Sequence, residues 1–314
     1  MREKLISSTP PPSSDSLPEL NFTKIEGLSF SPIVNMITYR SGRFLANNWI
    51  ATPRLITSTN GYDWEYVTNN PFTANVNVIR KAPDFFIAGD ANGRLATSPN
   101  GFSWTLQDST SGSVVSIRYE NSLFVSARQP FLIRTSSNGT NWNTRYNYAA
   151  TGGDVANSIC YNPTTGYWHT LSTTSHRNRS SPDGIVWSAS TDSTLPYGNS
   201  TSQGSGVNYL NGFYYRSFRP NDVTPLPSYI LFKSSDLLEW EEVKFEGEVV
   251  TGTLRNTDSS DYLVIGNGNM LILSNDGINF KSYDTKLNAI ALTVCITDNQ
   301  VVVCSSDGLS IANY

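Results

Sequence analysis

Apolar and polar positions alternate in short runs along nearly the whole chain, and turn-forming residues separate the runs. Residues 76–80, 85–89, 94–98 and 103–106 are one set of four such runs, with Pro, Asp, Asn or Gly between them. Alternation with a period of two is typical of half-buried β-strands, whereas helical patterns repeat every 3.6 residues. The pattern therefore predicts an all-β protein built from short strands.

One seven-residue phrase, Ser-x-Asn/Asp-Gly-x-x-Trp, recurs six times with small changes. Its Asn or Asp falls at positions 60, 100, 138, 183, 236 and 276, so successive copies are 40, 38, 45, 53 and 40 residues apart. Asn-Gly and Asp-Gly supply the positive φ angles that tight hairpins need, and the aromatic residue three positions after the Gly can pack over the turn. Each copy is therefore predicted to be a hairpin turn.

The fifth copy departs from the phrase because Leu237 stands where the other copies have Gly. This departure predicts a strained turn with a longer loop. The residues that the phrase assigns to the turns are Asn60, Gly61, Trp64, Asn100, Gly101, Trp104, Asn138, Gly139, Trp142, Asp183, Gly184, Trp187, Asp236, Trp240, Asp276, Gly277 and Phe280.

Four short strands in each period of about 40 residues are the signature of a β-propeller blade. The repeated phrase resembles the Asp box of sialidase-type (BNR) propellers, and the resemblance covers nearly the whole chain beyond residue 20. The resemblance implies the architecture and not an activity, because the same turn occurs in lectins, assembly factors and viral proteins of that superfamily.

The C-terminal unit has three strands, at residues 289–294, 300–304 and 309–314. Residues 305–308 read Ser-Ser-Asp-Gly but align with a link between second and third strands rather than with the turn phrase. The missing strand matches residues 20–25, and its addition would remove the free edges of an open ring. We predict a seven-bladed β-propeller over residues 20–314, closed by an N-terminal strand.

Residues 1–19 are rich in Pro and Ser and cannot bury a core of their own, so they are predicted to form an extended arm. Such an arm is ordered by whatever it lies on, which could be its own domain, a neighbouring subunit or a larger assembly. Contacts with another chain would support an assembly role, and packing on the protein itself would remove its main support.

Three long links, at residues 174–179, 190–206 and 217–229, account for the two largest spacings between turns, 45 and 53 residues. They connect second to third strands or one blade to the next, and in a propeller such links lie on the face opposite the turns. The residues that they bring together are His176, Arg177, Arg179, Tyr197, Phe218, Arg219 and Tyr229. Because Arg and aromatic side chains are enriched in binding surfaces, this face is the predicted binding face, with solvated loops as the alternative.

Composition excludes several classes of protein. The chain has 22 Lys and Arg against 26 Asp and Glu, a net charge of −4, and no basic stripe that would neutralise nucleic-acid phosphates. No apolar run reaches the length of a membrane span, and the mixed charges at the start predict no signal peptide and synthesis in the cytoplasm. Cys160, Cys295 and Cys304 have no disulfide spacing and are expected to be small buried residues.

A resemblance to sialidases also implies an arginine triad, a Tyr nucleophile paired with Glu, an acidic Asp and an early Arg-Ile-Pro motif. Residues 218–220 match this motif only in part and lie mid-chain, and residues 52–54 have the order reversed. No pair of carboxylates stands out for glycoside chemistry, and His169 and His176 are the only histidines. His169 is expected to be a packed strand residue. We therefore predict no enzyme activity, no catalytic residue, no metal and no cofactor.

The predicted function is that of a non-catalytic interaction or structural subunit of a larger assembly. A phage tail or capsid accessory protein, incorporated into the virion and anchored by the arm, is the specific form of this prediction. Its partners would be other protein subunits, bound through the arm and one propeller face. The alternatives are a glycan-binding lectin or receptor-recognition propeller that uses the long links, and a degenerate sialidase-like glycosidase.

Overall fold

A computed structural model of the chain describes residues 17–28, 34–49, 52, 54–130, 132–147, 156–172, 177–194, 201–202, 206–220, 229–255 and 261–314. The described residues form an all-β ring of seven small antiparallel sheets, which is a seven-bladed β-propeller. Within these ranges no helix is long and apolar enough to cross a membrane. The predicted fold class is confirmed.

Each blade is an antiparallel sheet, and the first strands of blades 7, 1, 2, 3, 4 and 5 contact one another in that order along the ring. Blade 1 contains β2 (Ile37–Arg40), β3 (Arg43–Asn47), β4 (Leu55–Ser58) and β5 (Glu65–Val67); blade 2 contains β6 (Val76–Lys81), β7 (Phe86–Asp90), β8 (Leu95–Ser98) and β9 (Thr105–Asp108); and blade 3 contains β10 (Val114–Glu120), β11 (Leu123–Arg128), β12 (Leu132–Ser136) and β13 (Asn143–Asn147). Blade 4 contains β14 (Ala156–Asn162), β15 (Tyr167–Ser172), β16 (Arg177–Ser181) and β17 (Thr191–Asp192), and blade 5 contains β18 (Thr201–Ser202), β19 (Asn208–Leu210), β20 (Phe213–Pro220), β21 (Ile230–Ser234) and β22 (Glu241–Glu242). Blade 6 contains β25 (Thr253–Leu254), β26 (Leu263–Asn267), β27 (Met270–Ser274) and β28 (Lys281–Asp284), and blade 7 contains β29 (Thr293–Ile296), β30 (Gln300–Cys304), β31 (Leu309–Asn313) and β1 (Thr23–Lys24). Between blades 5 and 6, β23 (Lys244–Phe245) and β24 (Glu248–Val249) form a separate hairpin.

The ring is closed by the N-terminal strand. β1 pairs antiparallel with β31, with Thr23 opposite Ile311 and Lys24 opposite Ser310. Residues 305–308 link β30 to β31, the second and third strands of blade 7, as the sequence alignment predicted. Blade 7 therefore combines the two ends of the chain in one sheet.

The middle strands of the blades are buried on both faces, because each blade packs between two neighbours. All side chains of β4 (Leu55–Ser58) and β7 (Phe86–Asp90) are buried, whereas the outermost strand β13 is largely exposed. Burial of apolar surface between neighbouring sheets is the main stabilising contribution in such a ring. The three cysteines are buried free thiols, with Cys295 and Cys304 on paired strands but not opposite each other.

A buried ion cluster joins blades 2 and 3. The carboxylate of Asp108, at the end of β9, pairs with the guanidinium groups of Arg128 and Arg134. Arg128 also donates to the carbonyl oxygen of Gly93 at 2.7 Å. Burial alone would raise the pKa of Asp108, but the hydrogen bond from Arg134 and the charge of Arg128 lower the pKa below its usual value.

The last residues of the predicted arm pack on the protein itself. Leu17 is buried in a cluster formed by blades 6 and 7, and Tyr283 donates its hydroxyl to the carbonyl oxygen of Pro18 at 2.8 Å. Lys281 Nζ lies 2.6 Å from Glu19 Oε1. Residues 1–16 lie outside the described residues. The assembly argument that rested on the arm is therefore not supported by residues 17–19.

Candidate functional site

The propeller has two faces that differ in their links. Links between first and second strands and between third and fourth strands form one face, called the turn face because it carries the six repeated turns. Links between second and third strands and links between blades form the opposite face, called the long-link face. The sequence analysis placed the candidate binding residues on the long-link face.

Hydrogen bonds within the repeated phrase build each turn. Asn60 Oδ1 accepts the backbone N–H groups of Tyr62 and Asp63 at 2.9 and 2.8 Å, and Trp64 Nε1 donates to the carbonyl oxygen of Gly61 at 2.7 Å. The corresponding Asn or Asp oxygen accepts two backbone N–H groups in all six turns. The side chain thus replaces backbone acceptors that a short turn lacks.

The turn with Leu237 keeps the backbone N–H bonds of the others. It lacks the indole bond, because Trp240 Nε1 has no hydrogen-bond partner among the described residues, whereas the tryptophans of blades 1 to 4 donate to a carbonyl oxygen of their turns. Leu237 has a φ of 69°, a conformation that costs a non-glycine residue about 1–2 kcal/mol. Its backbone N–H donates to Ser234 Oγ at 2.9 Å, as the glycine N–H does at Gly61. The expectation of strain is confirmed, whereas the expectation of a longer loop is wrong because the same side-chain acceptors hold the turn.

The structure corrects the placement of the predicted binding residues. Arg177 and Arg179 lie in β16 and Phe218 and Arg219 in β20, so these four are strand residues and not loop residues. Tyr229 immediately precedes β21 and is partly buried. His176 and Tyr197 lie outside the described residues.

Two of these residues are not accessible to a ligand. Phe218 is 1% exposed, and its ring packs against Phe232 and Trp240. Arg179 is buried over the ring of Tyr146 in the neighbouring blade. Both are therefore removed from the candidate binding face.

The strands here are longer than the sequence pattern suggested because β18 pairs with the end of β20. Thr201 lies opposite Pro220, and Ser202 opposite Arg219, which extends β20 over the first residues of the predicted loop 217–229. Arg177 is more exposed, and its Nε lies 3.0 Å from Asp192 Oδ1 on the neighbouring strand. Arg177 thus joins two strands of blade 4, and Arg179 joins blade 4 to blade 3.

His169 is a packed strand residue, as expected. Its Nε2 lies 2.9 Å from the hydroxyl of Tyr214, and its Nδ1 lies 3.1 Å from Ser180 Oγ. Asn162 Nδ2 donates to the same Tyr214 hydroxyl at 2.8 Å. Burial lowers the pKa of His169 to about 4, so the ring is neutral at physiological pH. This histidine has the surroundings of a structural residue.

A cavity of about 310 Å³ opens on the turn face, between the inner strands of blades 3 to 5 and links of blade 6. Its lining residues are Arg118, Glu120, Tyr161, Pro163, Tyr209, Leu210, Asn211, Asp261 and Asn275. Arg118 Nε lies 3.5 Å from Glu120 Oε1, so the cavity contains an ion pair. The cavity could not be predicted from the local sequence pattern because strands and links of four blades form it.

The two tyrosines that line the cavity each pack on an aromatic residue of the second strand of their own blade. The Tyr161 ring packs on Trp168 with ring centres 4.9 Å apart, and the Tyr209 ring packs on Tyr214 at 5.0 Å. In both cases the partner is the residue directly opposite on the second strand. Aromatic pairs at this register also occur in blades 1 and 3, which is a sequence signal that could have indicated these positions.

A second cavity of similar size lies on the long-link face beside blade 1. Its lining residues are Thr52, Arg54, Thr68, Asn70 and Phe72. Arg54 Nη1 donates to Asn75 Oδ1 at 2.8 Å, so this guanidinium bridges the link to blade 2. The arginine in this cavity thus has an evident structural role.

Exposed apolar side chains concentrate on the turn face. Of the ten large apolar side chains that are exposed among the described residues, seven lie in or beside its links: Tyr62, Tyr167, Ile185, Val186, Leu238, Ile278 and Tyr314. Val186 and Ile278 are 67% and 69% exposed. Grouped exposed apolar side chains mark interaction surfaces more often than isolated ones do.

Comparison with known proteins supports the fold alone. No family model matches the chain, and no curated protein sequence matches it. Among solved structures, YCF48 bound to a D1 peptide superposes with a TM-score of 0.64 and 12% identity, covering 94% of each chain. A catalytically inactive virginiamycin B lyase from Staphylococcus aureus, solved with quinupristin, has a TM-score of 0.65 and 9% identity over 94% of this chain and 100% of that chain. PorZ of Porphyromonas gingivalis, a surface component of a secretion system, has a TM-score of 0.61 and 13% identity over 93% of this chain and 39% of that chain.

Proposed function

We propose that this chain is a non-catalytic interaction propeller that binds a protein partner on its turn face. The observation that carries the proposal is the concentration of exposed apolar side chains on that face, which also carries a cavity. Two structural neighbours also favour protein partners, since YCF48 was solved with a peptide and PorZ is part of a secretion system.

We place the proposed site on the turn face rather than on the long-link face. On the long-link face, Arg179 and Phe218 are buried and Arg177 is paired, so few of the described candidate residues are available to a ligand. On the turn face, Val186 and Ile278 extend into solvent from the turns of blades 4 and 6. Binding a partner there would bury apolar surface that is now in contact with water.

The absence of catalysis is part of the proposal. His169 is neutral, buried and hydrogen-bonded on both ring nitrogens, so it is not available as a general base. The ionisable groups of the turn-face cavity are an Arg–Glu pair, two tyrosines and Asp261. A binding role uses these groups without a further nucleophile or base.

A virion accessory role and a sialidase-type ancestry of the turns are narrower forms of the same proposal. The sialidase-type ancestry rests on the repeated phrase, and the virion role rests on the N-terminal arm and on the lack of a recognisable catalytic motif in the sequence. Because residues 17–19 pack on blades 6 and 7, an anchor to another subunit would have to lie in residues 1–16. The turn face provides a contact surface that does not depend on the arm.

Selection of peptides from a random mRNA-displayed library on the immobilised protein tests the proposal. We expect a selected pool whose binding is lost in a turn-face variant carrying Ile185→Ser, Val186→Ser and Ile278→Ser. The matched control replaces the exposed outer-strand residues Tyr66 and Leu106 by Ser and should keep the binding. A pool that binds both variants equally, or no pool at all, would contradict the proposal.

A further inference from the structure

The side chain that accepts the two backbone N–H groups of each repeated turn differs between two parts of the ring. This residue is Asn in blades 1 to 3 and Asp in blades 4 to 6. The Asn oxygens accept their two backbone N–H groups at 2.8–3.0 Å, and the Asp oxygens do so at 2.8–3.2 Å. Because an amide oxygen makes the same bonds, the turn itself does not require the negative charge of Asp183, Asp236 or Asp276.

The three carboxylates are firmly ionised. The backbone N–H groups of Val186 and Ile185 lower the pKa of Asp183. Burial alone would raise the pKa of Asp236 and of Asp276, but the backbone N–H donors of their turns lower both pKa values below the usual range. Each of these turns therefore carries a full negative charge at neutral pH.

Other charges follow the same division of the turn face. The described links of blades 4 to 7 on this face carry six acidic side chains: Asp183, Asp236, Glu239, Asp261, Asp276 and Asp298. Their one basic residue, Arg255, has its guanidinium beside Gly266, near the end of β26 that points to the opposite face. In the flanking strands, Lys233 pairs with Glu241 and Lys281 with Glu19.

The other half of the turn face carries charges of both signs. Its basic residues Arg40, Arg43, Lys81 and Arg118 lie in or beside the links of blades 1 to 3, and so do the acidic residues Asp63, Glu65, Asp84 and Glu120. Arg43 pairs with Glu65, and Arg118 pairs with Glu120. An excess of negative charge on the turn face therefore lies over blades 4 to 7.

Apolar side chains stand among the carboxylates. Ile185 and Val186 follow the turn of Asp183, Leu238 follows that of Asp236, and Ile278 follows that of Asp276. All four are exposed. We call these four apolar residues, together with Asp183, Asp236 and Asp276, the acidic half of the turn face.

The turn-face cavity borders this half. Asn275, which lines the cavity, precedes Asp276, and the carboxylates of Glu120 and Asp261 outnumber the single guanidinium of Arg118. The rings of Tyr161 and Tyr209 provide aromatic surface, to which an ammonium or guanidinium group is attracted. The cavity therefore suits one basic side chain.

We propose that the acidic half of the turn face docks a basic, amphipathic segment of a partner protein. Apolar side chains of the segment cover the four exposed apolar residues, its basic side chains face the turn carboxylates, and one Lys or Arg enters the cavity. This inference rests on the proposed function and names the chemistry of its partner. Opposite charges across an interface contribute mainly to partner choice and association rate, and apolar contact contributes the affinity.

The turn repeat itself supplies a matched pair of variants. Asp183→Asn, Asp236→Asn and Asp276→Asn together give blades 4 to 6 the acceptors of blades 1 to 3. The reciprocal control, Asn60→Asp, Asn100→Asp and Asn138→Asp, adds three charges to the other half. Both variants keep the two backbone N–H bonds of each turn. Asn60→Asp loses the bond that Asn60 Nδ2 donates to Asp63 Oδ2 at 2.7 Å, and Asp276→Asn loses the bond that Asn279 Nδ2 donates to Asp276 Oδ2 at 2.8 Å. Thermal unfolding should show both variants folded, since each loses only one side-chain bond of a single turn.

The probes are two synthetic twelve-residue peptides with the same leucine positions, one with lysine and one with glutamate at the remaining positions. We expect the wild-type chain to bind the lysine peptide and not the glutamate peptide. Binding to the Asp→Asn variant should be about tenfold weaker, with a smaller dependence on salt. The Asn→Asp control should change the affinity by less than about twofold at 150 mM salt, because screening limits charge effects to about 8 Å.

A second pair of variants tests the cavity. Asp261 and Asp298 are both exposed on the turn face, but only Asp261 is among the cavity's lining residues. Asp261→Asn should weaken lysine-peptide binding about threefold, and Asp298→Asn should leave it within about 1.5-fold. Equal effects of the two substitutions would overturn the placement of a basic side chain in the cavity.

The outcomes separate the inference from the proposed function. If the peptides selected from the library bind the turn face but the lysine peptide does not, or if the Asp→Asn variant binds it as well as the wild-type chain, the inference is overturned and the proposed function stands. If no selected peptide depends on Ile185, Val186 and Ile278, both fail.

Discussion

Blades 1 to 3 and blades 4 to 6 have the same turns but different charges. In both groups a side-chain oxygen accepts two backbone N–H groups at nearly the same distances, yet the acceptor is Asn60, Asn100 and Asn138 in one group and Asp183, Asp236 and Asp276 in the other. The comparison separates two requirements on one motif. Hydrogen-bond geometry and the positive-φ position specify the fold, and the charge remains free to vary with function.

Blade 7 differs from both groups because the chain ends where the other blades have their turn. Its fourth strand is β1, held by pairing with β31 and by the burial of Leu17, Leu20 and Phe22. Deletion of residues 1–27 should have the largest effect, since it exposes the edge of β31 and the apolar surface beneath. We expect a chain that unfolds or dimerises. Light scattering and thermal unfolding would contradict this if the truncated chain stayed monomeric with an unchanged Tm.

The glycine of the turn is the position that should tolerate least change. At Gly277, φ is +75° and an added Cβ would lie 2.0 Å from the hydroxyl oxygen of Tyr215. Gly277→Ala should therefore lower the free energy of unfolding by about 3 kcal/mol, which combines backbone strain with overpacking. Urea denaturation measures the change.

Two control glycines sharpen that measurement. Gly212 has φ of +90° and nothing within 4 Å of an added Cβ, so Gly212→Ala should cost only the backbone term of about 1 kcal/mol. Gly61→Ala in blade 1 should fall between the two, because the close atom there is the end of the Ile311 side chain at 2.8 Å. An equal cost at all three positions would show that packing against Tyr215 contributes nothing.

The ion cluster of Asp108, between blades 2 and 3, allows the contribution of a buried charge to stability to be measured in the part of the ring whose turns carry Asn. Asp108→Asn leaves Arg128 and Arg134 without their carboxylate, and Arg128 is buried, so we expect a loss of about 3 kcal/mol at pH 7. The pKa of Asp108 is lowered in the folded state, so the contribution is fully present above the unfolded pKa of about 3.9 and is lost as pH falls through the lower folded value.

The difference between wild type and Asp108→Asn should therefore shrink in acid. Urea unfolding at pH 7 and at pH 2.5 gives both values. A difference that stays constant over this range would mean that Asp108 stabilises the joint between blades 2 and 3 without its charge.

The repeat allowed the fold to be predicted, down to the closing strand, because spacing and turn chemistry are local properties of the chain. The face that carries the candidate site could not be predicted in the same way. Pairing of β18 with the end of β20 turned Phe218 and Arg219 into strand residues, and that contact joins segments that the local pattern treats separately. The cavity likewise depends on Arg118, Tyr161 and Tyr209, which come from three blades.

Exchange of the turn acceptors should have the smallest effect on stability. The Asp→Asn variant of blades 4 to 6 keeps the two N–H acceptor bonds of each turn, so the free energy of unfolding at pH 7 should change by less than about 1 kcal/mol per turn.

The pKa values of Asp183, Asp236 and Asp276 are lowered in the folded chain, so their contribution is present above the unfolded pKa and fades as pH falls through the folded values. The wild-type chain should thus lose more stability between pH 5 and pH 2.5 than the Asp→Asn variant, and the Asn→Asp variant of blades 1 to 3 should lose more than the wild type. Urea unfolding across this pH range measures all three proteins. If the Asp→Asn variant were instead several kcal/mol less stable at pH 7, the carboxylates would be needed by the turns, and their charge would no longer point to a partner.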